Sequence, residues 1–156
     1  MTGGLTPAPG VSARGLRVAI VAARFHDFIV ASLLKGASAT WAERGGAPAD
    51  LTVLRVPGAF ELPLVAKRLG ASGRCDAVVA LGCVIRGDTP HFDYVAGECA
   101  RGLLDAGLAT GVPVVFGVLT VETVEQALER AGTDKGNKGG EAMEAALEMA
   151  SLLKQL

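Results

Sequence analysis

Residues 76–85 read DAVVALGCVI, an apolar run that ends abruptly at the polar sequence RGDTPH (86–91). Apolar residues occupy almost every position of the run instead of alternating with polar ones. This pattern is typical of a parallel strand whose two faces are both covered by helices. The run therefore predicts a buried strand in a parallel sheet, and RGDTPH predicts the loop that follows it.

Three further runs have the same character and predict three more parallel strands: LRVAIVAA (16–23), LTVLRV (51–56) and VPVVFGVLT (112–120). Segments with helical periodicity lie between and after the strands, over residues 27–44, 60–69, 91–109, 121–132 and 139–155. We expect Pro63 in the first turn of the second helix, and Thr120 and Gly132 at the two ends of the fourth.

The order βαβαβαβαα, with right-handed crossovers, predicts a three-layer α/β/α fold, in which a four-stranded parallel sheet carries helices on both faces. At 156 residues the chain is long enough for a single domain with a substantial core. We assign residues 16–156 to that domain. Residues 1–15, rich in Gly, Pro and Ala, are expected to form a flexible arm.

The composition indicates which kinds of partner and which cellular location to expect. The 15 basic and 16 acidic residues give a formal charge of -1 without a basic run, which argues against nucleic acid. No apolar run predicts a membrane helix, and the N-terminus lacks the regions of a secretory signal. Cys75, Cys83 and Cys99 show no CxxC spacing, so we expect buried, reduced thiols, no metal site and a cytoplasmic location.

Ligands of such sheets bind beyond the carboxyl ends of the strands. The segments that follow the four strands, 24–27, 57–61, 86–91 and 117–122, carry the less common polar residues of the chain. Because these segments meet at one edge of the predicted sheet, that edge is the candidate site.

RGDTPH has two interpretations. Gly, Asp and Pro form turns, and His91 could simply begin a helix. Alternatively, free N–H groups before a helix would bind an anion, helped by the Thr89 hydroxyl and by close approach at Gly87, and His91 would act as a general acid or base. Two other residues also have two interpretations each. Glu61 could complement a helix dipole or accept hydrogen bonds from a polyol or amine, and Phe25 could pack internally or stack on a flat ring.

The sequence ERAGTDKGNKGGE (129–141) superficially resembles a phosphate-binding loop. It lacks the Gly-Lys-Ser/Thr of that motif and follows a helix rather than a strand, so we expect an irregular connector. Within this stretch, Arg130 lies near a helix C-terminus, where a basic residue commonly complements the helix dipole. Lys138 has no such ordinary explanation. From the residues alone, the sequence supports a phosphate-using α/β protein and little more.

Four blocks of the chain closely resemble the lumazine synthase (6,7-dimethyl-8-ribityllumazine synthase) family: IVAARFHDFIVASLLKGA (20–37), VPGAFELPLVAKRL (56–69), ALGCVIRGDTPHFDYVAGECARGL (80–103) and FGVLTVETVEQALERAGTDKGNKGGEA (116–142). The resemblance runs from about residue 14 to the C-terminus. It implies a flavodoxin-like fold and an enzyme that condenses 5-amino-6-(D-ribitylamino)uracil with 3,4-dihydroxy-2-butanone 4-phosphate, the penultimate step of riboflavin biosynthesis. Neither a metal nor an organic cofactor is implied. His26 and Asp88 stand where many members carry asparagine and a small residue.

The resemblance also implies a role for each site residue. His91 would move protons, Phe25 would stack on the pyrimidine, and Glu61 would accept the ribityl hydroxyls. Further substrate contacts would come from Ala59, Phe60, Cys83, Val84 and Ile85, and the phosphate would be held by Gly87, Asp88, Thr89 and Arg130. A carboxylate at position 88 is unfavourable beside a phosphate unless it points to solvent.

In the resembled family the sites lie between subunits of a ring, so Arg130, Phe116 and Lys138 would come from the neighbouring subunit. The family forms pentamers, and in many members twelve pentamers close into an icosahedral shell. The short connector between the last two helices predicts the shell here. The arm with Pro7 and Pro9 would add a strand to a neighbour's sheet, and riboflavin synthase is a candidate partner.

Two alternatives of other classes remain open: a non-catalytic protein that binds a flavin or ribityl compound, and a shell protein without activity. His91, Arg130 and Glu61 argue against both.

Overall fold

A computed structural model describes residues 8, 10–132 and 136–156 of the chain. In these residues four strands and five α-helices follow one another in the predicted order. They are β1 (Val18–Ala23), α1 (Asp27–Glu43), β2 (Leu51–Val56), α2 (Leu62–Ala71), β3 (Ala77–Ile85), α3 (His91–Thr110), β4 (Val114–Val121), α4 (Val124–Ala131) and α5 (Lys138–Leu153). Short 3-10 turns at Pro48–Asp50 and Ala59–Glu61 precede β2 and α2.

The sheet is parallel throughout, with the strand order β2-β1-β3-β4. This confirms the predicted fold class, since the 2-1-3-4 order is that of flavodoxin-like folds. The chain runs from β1 outward to β2 and then returns to the far side of β1 to form β3. The strand order reverses between β1 and β3, the point at which such sheets bind ligands.

A separate hydrophobic layer covers each face of the sheet. On one face α1, α4 and α5 bury Ile20, Leu33 and Leu147 with their neighbours. On the other face α2 and α3 bury Val21 and Leu103. Every residue of β1, and all of β3 up to Val84, is buried, as the continuous apolar pattern predicts.

β2 differs from the prediction of a strand buried on both faces. The side chains of Thr52, Val53, Leu54 and Arg55 are exposed, because β2 is an edge strand that, among the described residues, pairs only with β1. The apolar sequence of β2 therefore does not correspond to burial within a single chain. β4 is the other edge strand, and Phe116 near its start is also exposed.

The fourth helix begins later than predicted. Thr120 is not its N-cap, because β4 continues in register with β3 as far as Val121, opposite Ile85. Thr123 takes that role: its hydroxyl accepts the N–H of Gln126 at 3.1 Å. Pro63 lies in the first turn of α2, as predicted.

The segment before β1 packs on the domain at Ala13, which is buried and donates its N–H to the carbonyl of Arg44 at 2.9 Å. Pro7 and Pro9, which the predicted arm contains, lie outside the described residues. No helix among the described residues is long and apolar enough to cross a membrane.

Candidate active site

A cleft of about 640 Å³ opens at the carboxyl edge of the sheet, beside the point where the strand order reverses. It is formed by the ends of β1, β2 and β3, the loop after β3 and the first turns of α3. The lining residues are Phe25, His26, Pro57, Gly58, Ala59, Phe60, Glu61, Cys83, Val84, Ile85, Gly87, Thr89, His91, Phe92, Tyr94 and Val95. The wall is largely apolar with a few polar groups, which is usual for a small-molecule site.

The end of β1 presents an aromatic pair to the cleft. The N–H of Phe25 donates to the carbonyl of Pro57 at 3.0 Å, which holds this segment against the end of β2. His26 has φ 60° and ψ 46° and is the only residue other than glycine with positive φ in the described chain. Its ring lies 4.3 Å from that of Phe25, tilted by 51°. The Phe25 side chain is 66% exposed, so one of its ring faces is accessible to a ligand.

β3 extends beyond its pairing with β1. The register with β1 ends at Leu81, whereas the register with β4 continues to Ile85. On the β1 side, the backbone of 82–85 therefore has no strand partner among the described residues. Cys83, Val84 and Ile85 line the cleft there. Backbone N–H and C=O groups require partners when they are shielded from water, so this stretch can pair with the polar edge of a flat ligand.

The loop after β3 leads directly into α3. His91 is the first residue of this 20-residue helix, and its N–H points to the Thr89 hydroxyl at 3.4 Å. Within the described chain, no backbone carbonyl accepts the N–H of Gly87, Asp88 or Thr89. Free N–H groups in front of a helix N-terminus favour an anion. The loop thus offers donors for an anion next to an imidazole.

Arg86 holds the ends of this loop together. Its backbone N–H donates to the carbonyl of Val121 at 2.9 Å. Its guanidinium forms ion pairs with Glu122 (2.7 Å) and Asp93 (3.3 Å) and lies 4.4 Å from the ring centre of Phe92. Arg86 is therefore not a free cation, although it begins the loop.

Burial shifts the pKa values of two titratable groups in the cleft. Burial raises the pKa of the Cys83 thiol to about 11, so Cys83 is a neutral wall residue and not a nucleophile at neutral pH. Burial lowers the pKa of His26, which favours its neutral imidazole. Among the described residues, no group of three or more His, Cys, Asp or Glu side chains is arranged to hold a metal ion.

Four residues of the predicted site do not line the cleft of this chain. Asp88 is exposed, away from the lining. Phe116 lies on the edge strand β4, opposite Ala80. Arg130, in the last turn of α4, donates to the carbonyl of Gln126 at 3.0 Å, and Lys138 forms an ion pair with Glu141 at 3.3 Å. No lysine or arginine is among the described residues that line the cleft. Glu61 is the acidic residue among them.

Two glycines in the first turn of α5 have a packing role. The Asn137 side chain accepts the N–H groups of Gly139 (2.8 Å) and Gly140 (3.2 Å) and donates to the carbonyl of Ser32 (2.9 Å). A side chain at Gly139 would collide with the carbonyl of Leu33, so the glycines let α5 lie close to α1. The N-terminus of α5 is thus capped by a side chain of the same chain.

Sequence reasoning placed His26, Pro57 and Gly58 at the candidate edge without giving them a role, and it missed the lining residues Phe92, Tyr94 and Val95. One signal was available for Tyr94 and Val95. His91, Tyr94 and Val95 are spaced three and four apart, which places them on one face of a helix. A site at His91 therefore extends along that face.

A comparison with protein families gives one match across almost the whole chain. The family model described as 6,7-dimethyl-8-ribityllumazine synthase matches residues 15–154. The match includes every segment that forms the cleft.

Proposed function

The chain belongs to the 6,7-dimethyl-8-ribityllumazine synthase family, whose members are transferases of riboflavin biosynthesis, and on this premise we propose the reaction of its cleft. The substrates are 5-amino-6-(D-ribitylamino)uracil and 3,4-dihydroxy-2-butanone 4-phosphate. The products are 6,7-dimethyl-8-ribityllumazine, one phosphate and two molecules of water. The observation that carries this proposal is the junction, in one cleft, of an exposed aromatic ring, unpaired strand backbone, and an anion-binding loop ending in an imidazole.

The reaction starts with attack of the pyrimidine amine on the ketone of the butanone phosphate. Loss of the first water gives an imine, and removal of a proton from its carbon skeleton expels phosphate with the electrons of the C–O bond. The resulting enol takes up a proton on its terminal carbon and becomes a ketone. The ribityl-bearing nitrogen then attacks that carbonyl carbon to close the second ring, and the second water leaves. No step requires a strong nucleophile of the protein, so much of the acceleration can come from holding two reactive substrates together.

The pyrimidine binds at the β1 and β3 side of the cleft in this proposal. Phe25 stacks on its face, with an exposed ring that has the His26 ring beside it. The backbone of Val84, Ile85 and Ala59 pairs with its polar edges, and Phe60 and Cys83 complete the wall. Glu61 lies at the start of α2 and accepts hydrogen bonds from the ribityl hydroxyls.

The butanone phosphate binds at the loop after β3. The N–H groups of Gly87, Asp88 and Thr89 and the Thr89 hydroxyl hold the phosphate, and the exposed Asp88 carboxylate points to solvent. His91 then adjoins the carbon skeleton and moves protons during imine formation and elimination. The position of its imidazole at the N-terminus of α3, within the cleft, supports this role.

The site is shared between subunits. A dianionic phosphate needs positive charge, and the lining residues of this chain supply neither lysine nor arginine. Arg130 of a neighbouring copy supplies that charge, and its Phe116 and Lys138 close the cleft. Family membership implies oligomeric assembly. The exposed Val53 and Leu54 on β2, and Leu104 and Leu108 on α3, are apolar surface that an assembly covers.

Incubation of the purified protein with both substrates tests the function. Formation of the lumazine is followed by its fluorescence, and phosphate release is measured in parallel. One phosphate per lumazine is expected. Tight binding of flavin or ribityl compounds without turnover would favour the binding-protein alternative, and a closed particle without turnover would favour the shell protein.

We further propose pentamers that close, twelve at a time, into an icosahedral shell. The connector between α4 and α5 carries no insertion that would obstruct contacts between pentamers. A neighbour's arm pairs with the exposed edge of β2, and riboflavin synthase is a candidate to be enclosed. Light scattering of the untagged protein at neutral pH checks this. A particle near the megadalton scale supports the shell, and a stable species of pentamer mass contradicts it.

A further inference from the structure

We propose that Arg86 is a positioning residue that fixes the shape of the loop 87–91, and not a ligand of the phosphate. The inference rests on the proposed function, because the loop is the assigned anion site. Arg86 does not line the cleft, so its side chain has no role in the proposed contacts with substrate.

The contacts of Arg86 surround the loop without entering it. The residue lies immediately before Gly87, and its side chain reaches Phe92 and Asp93, immediately after His91. Loop residues 87–91 are thus a short connection whose two ends are joined by one side chain. The backbone N–H of Arg86 fixes the near end to β4 through Val121.

Glu122 connects Arg86 to a part of the fold outside the loop. Its carboxylate meets Nε of Arg86 at 2.7 Å, and its own N–H donates to the Gln126 side chain at 2.7 Å. The first turn of α3 is therefore tied through Arg86 to the junction of β4 and α4. A planar guanidinium suits this task because it can meet two carboxylates and an aromatic ring in fixed directions.

The charges exclude Arg86 as the free cation of the site. Two carboxylates, Asp93 and Glu122, already contact its guanidinium. Solvent weakens each pair, since the Arg86 side chain is 40% exposed. The effect that we assign to the network is therefore one of geometry: it keeps His91 and the loop N–H groups at fixed separation. Displacements of about 1 Å in such groups can reduce a rate on the order of 100-fold.

The variants Arg86→Met and Glu122→Gln test the proposal, with Arg101→Met as the matched control. Arg101 also forms an ion pair on α3, with Asp105, but far along the helix from the loop. Hydrogen exchange of the intact assembly is measured first, on peptides that cover 86–98. We expect faster exchange in Arg86→Met and unchanged exchange in the control. This readout does not depend on turnover, so it stands even if the protein forms no lumazine.

Steady-state kinetics separate positioning from ligation. We expect Arg86→Met to lower kcat about 10- to 100-fold, with little change in KM for the pyrimidine. Glu122→Gln decides between the two roles. If Arg86 only positions the loop, loss of Glu122 weakens binding of the butanone phosphate and lowers kcat. If Arg86 is a ligand, loss of Glu122 frees its charge and tightens that binding. The latter result, or unchanged loop exchange in Arg86→Met, overturns the proposal.

Discussion

Phe25 and His26 lie side by side at the mouth of the cleft, with their ring centres 4.3 Å apart and His26 in the left-handed region of backbone conformation. That region is unfavourable for most residues and is tolerated best by glycine and asparagine. The sharp turn allows β1 to end, Phe25 to face the cleft, and α1 to begin at Asp27. The position accounts for the asparagine that many members of the family carry there.

Backbone conformation at His26 predicts an order of stability among variants. His26→Val should lower the free energy of unfolding by about 1–2 kcal/mol relative to His26→Asn, because a β-branched side chain collides with the backbone at positive φ. Thermal unfolding of both variants at equal protein concentration measures the difference. Equal melting temperatures would show that the turn relaxes to another conformation.

The partly buried imidazole of His26 also predicts a dependence of stability on pH. Burial lowers the pKa of His26 in the folded chain, so as pH falls the unfolded chain binds the proton first. The group contributes nothing above its unfolded value of about 6.5 and destabilises the fold as pH decreases below it. Between pH 7.5 and 5, His26→Asn should therefore lose less thermal stability than the original protein. Parallel losses in the two proteins would contradict this.

Removal of the His91 imidazole should slow turnover and leave assembly intact. General acid–base assistance is typically worth about 10²- to 10⁴-fold, and we expect the low end or less because aligned substrates react unaided. The kcat of His91→Ala, with particle mass from light scattering as the control, measures the effect. Original activity in the variant would remove His91 from the mechanism.

A site shared between subunits predicts recovery of activity by mixing. Arg130→Ala should raise the KM of the butanone phosphate far more than that of the pyrimidine. Rings assembled from Arg130→Ala and His91→Ala subunits should regain part of the activity, since some interfaces then carry both original residues. Verified mixed rings that regain nothing would show that the two residues do not share a site.

Asp88 carries a negative charge in the loop that we propose to bind the phosphate, but it does not line the cleft. Asp88→Asn should therefore lower the KM of the butanone phosphate only about two- to threefold at low salt, and the difference should fade near 0.15 M salt, where screening acts within about 8 Å. A much larger change would mean that the carboxylate turns toward the phosphate.

The fold was predictable because its strongest signals are local. Continuous apolar runs identified β1 and β3, and helical periodicity identified α1, α3 and α5. β2 has the same kind of sequence yet is exposed, because composition does not reveal which strand lies at an edge. Thr120 and Thr123 are equally good caps by residue type, and only the register of β4 with β3 decides between them.

The site was predictable where residues follow strands directly. Phe25, Glu61, Thr89 and His91 reach one cleft because carboxyl ends of parallel strands share an edge. The contacts of Arg86 depend on side-chain directions across three elements, which no spacing in the sequence encodes. The roles of Phe116, Arg130 and Lys138 remain predictions, since they concern a second copy of the chain.

The burial of the three cysteines makes them reporters of transient opening. Burial raises the pKa of Cys83 and Cys99 to about 11, so at pH 8 only about one thiol in a thousand is the reactive thiolate. Labelling by a thiol reagent must therefore wait until the chain opens locally. Cys83 lies in the cleft wall, whereas Cys99 lies on the buried face of α3, in the core. A ligand in the cleft should consequently slow labelling of Cys83 more than that of Cys99. The labelling rate of Cys83 then reports ligand occupancy, and that of Cys99 reports local opening of the core in the same protein.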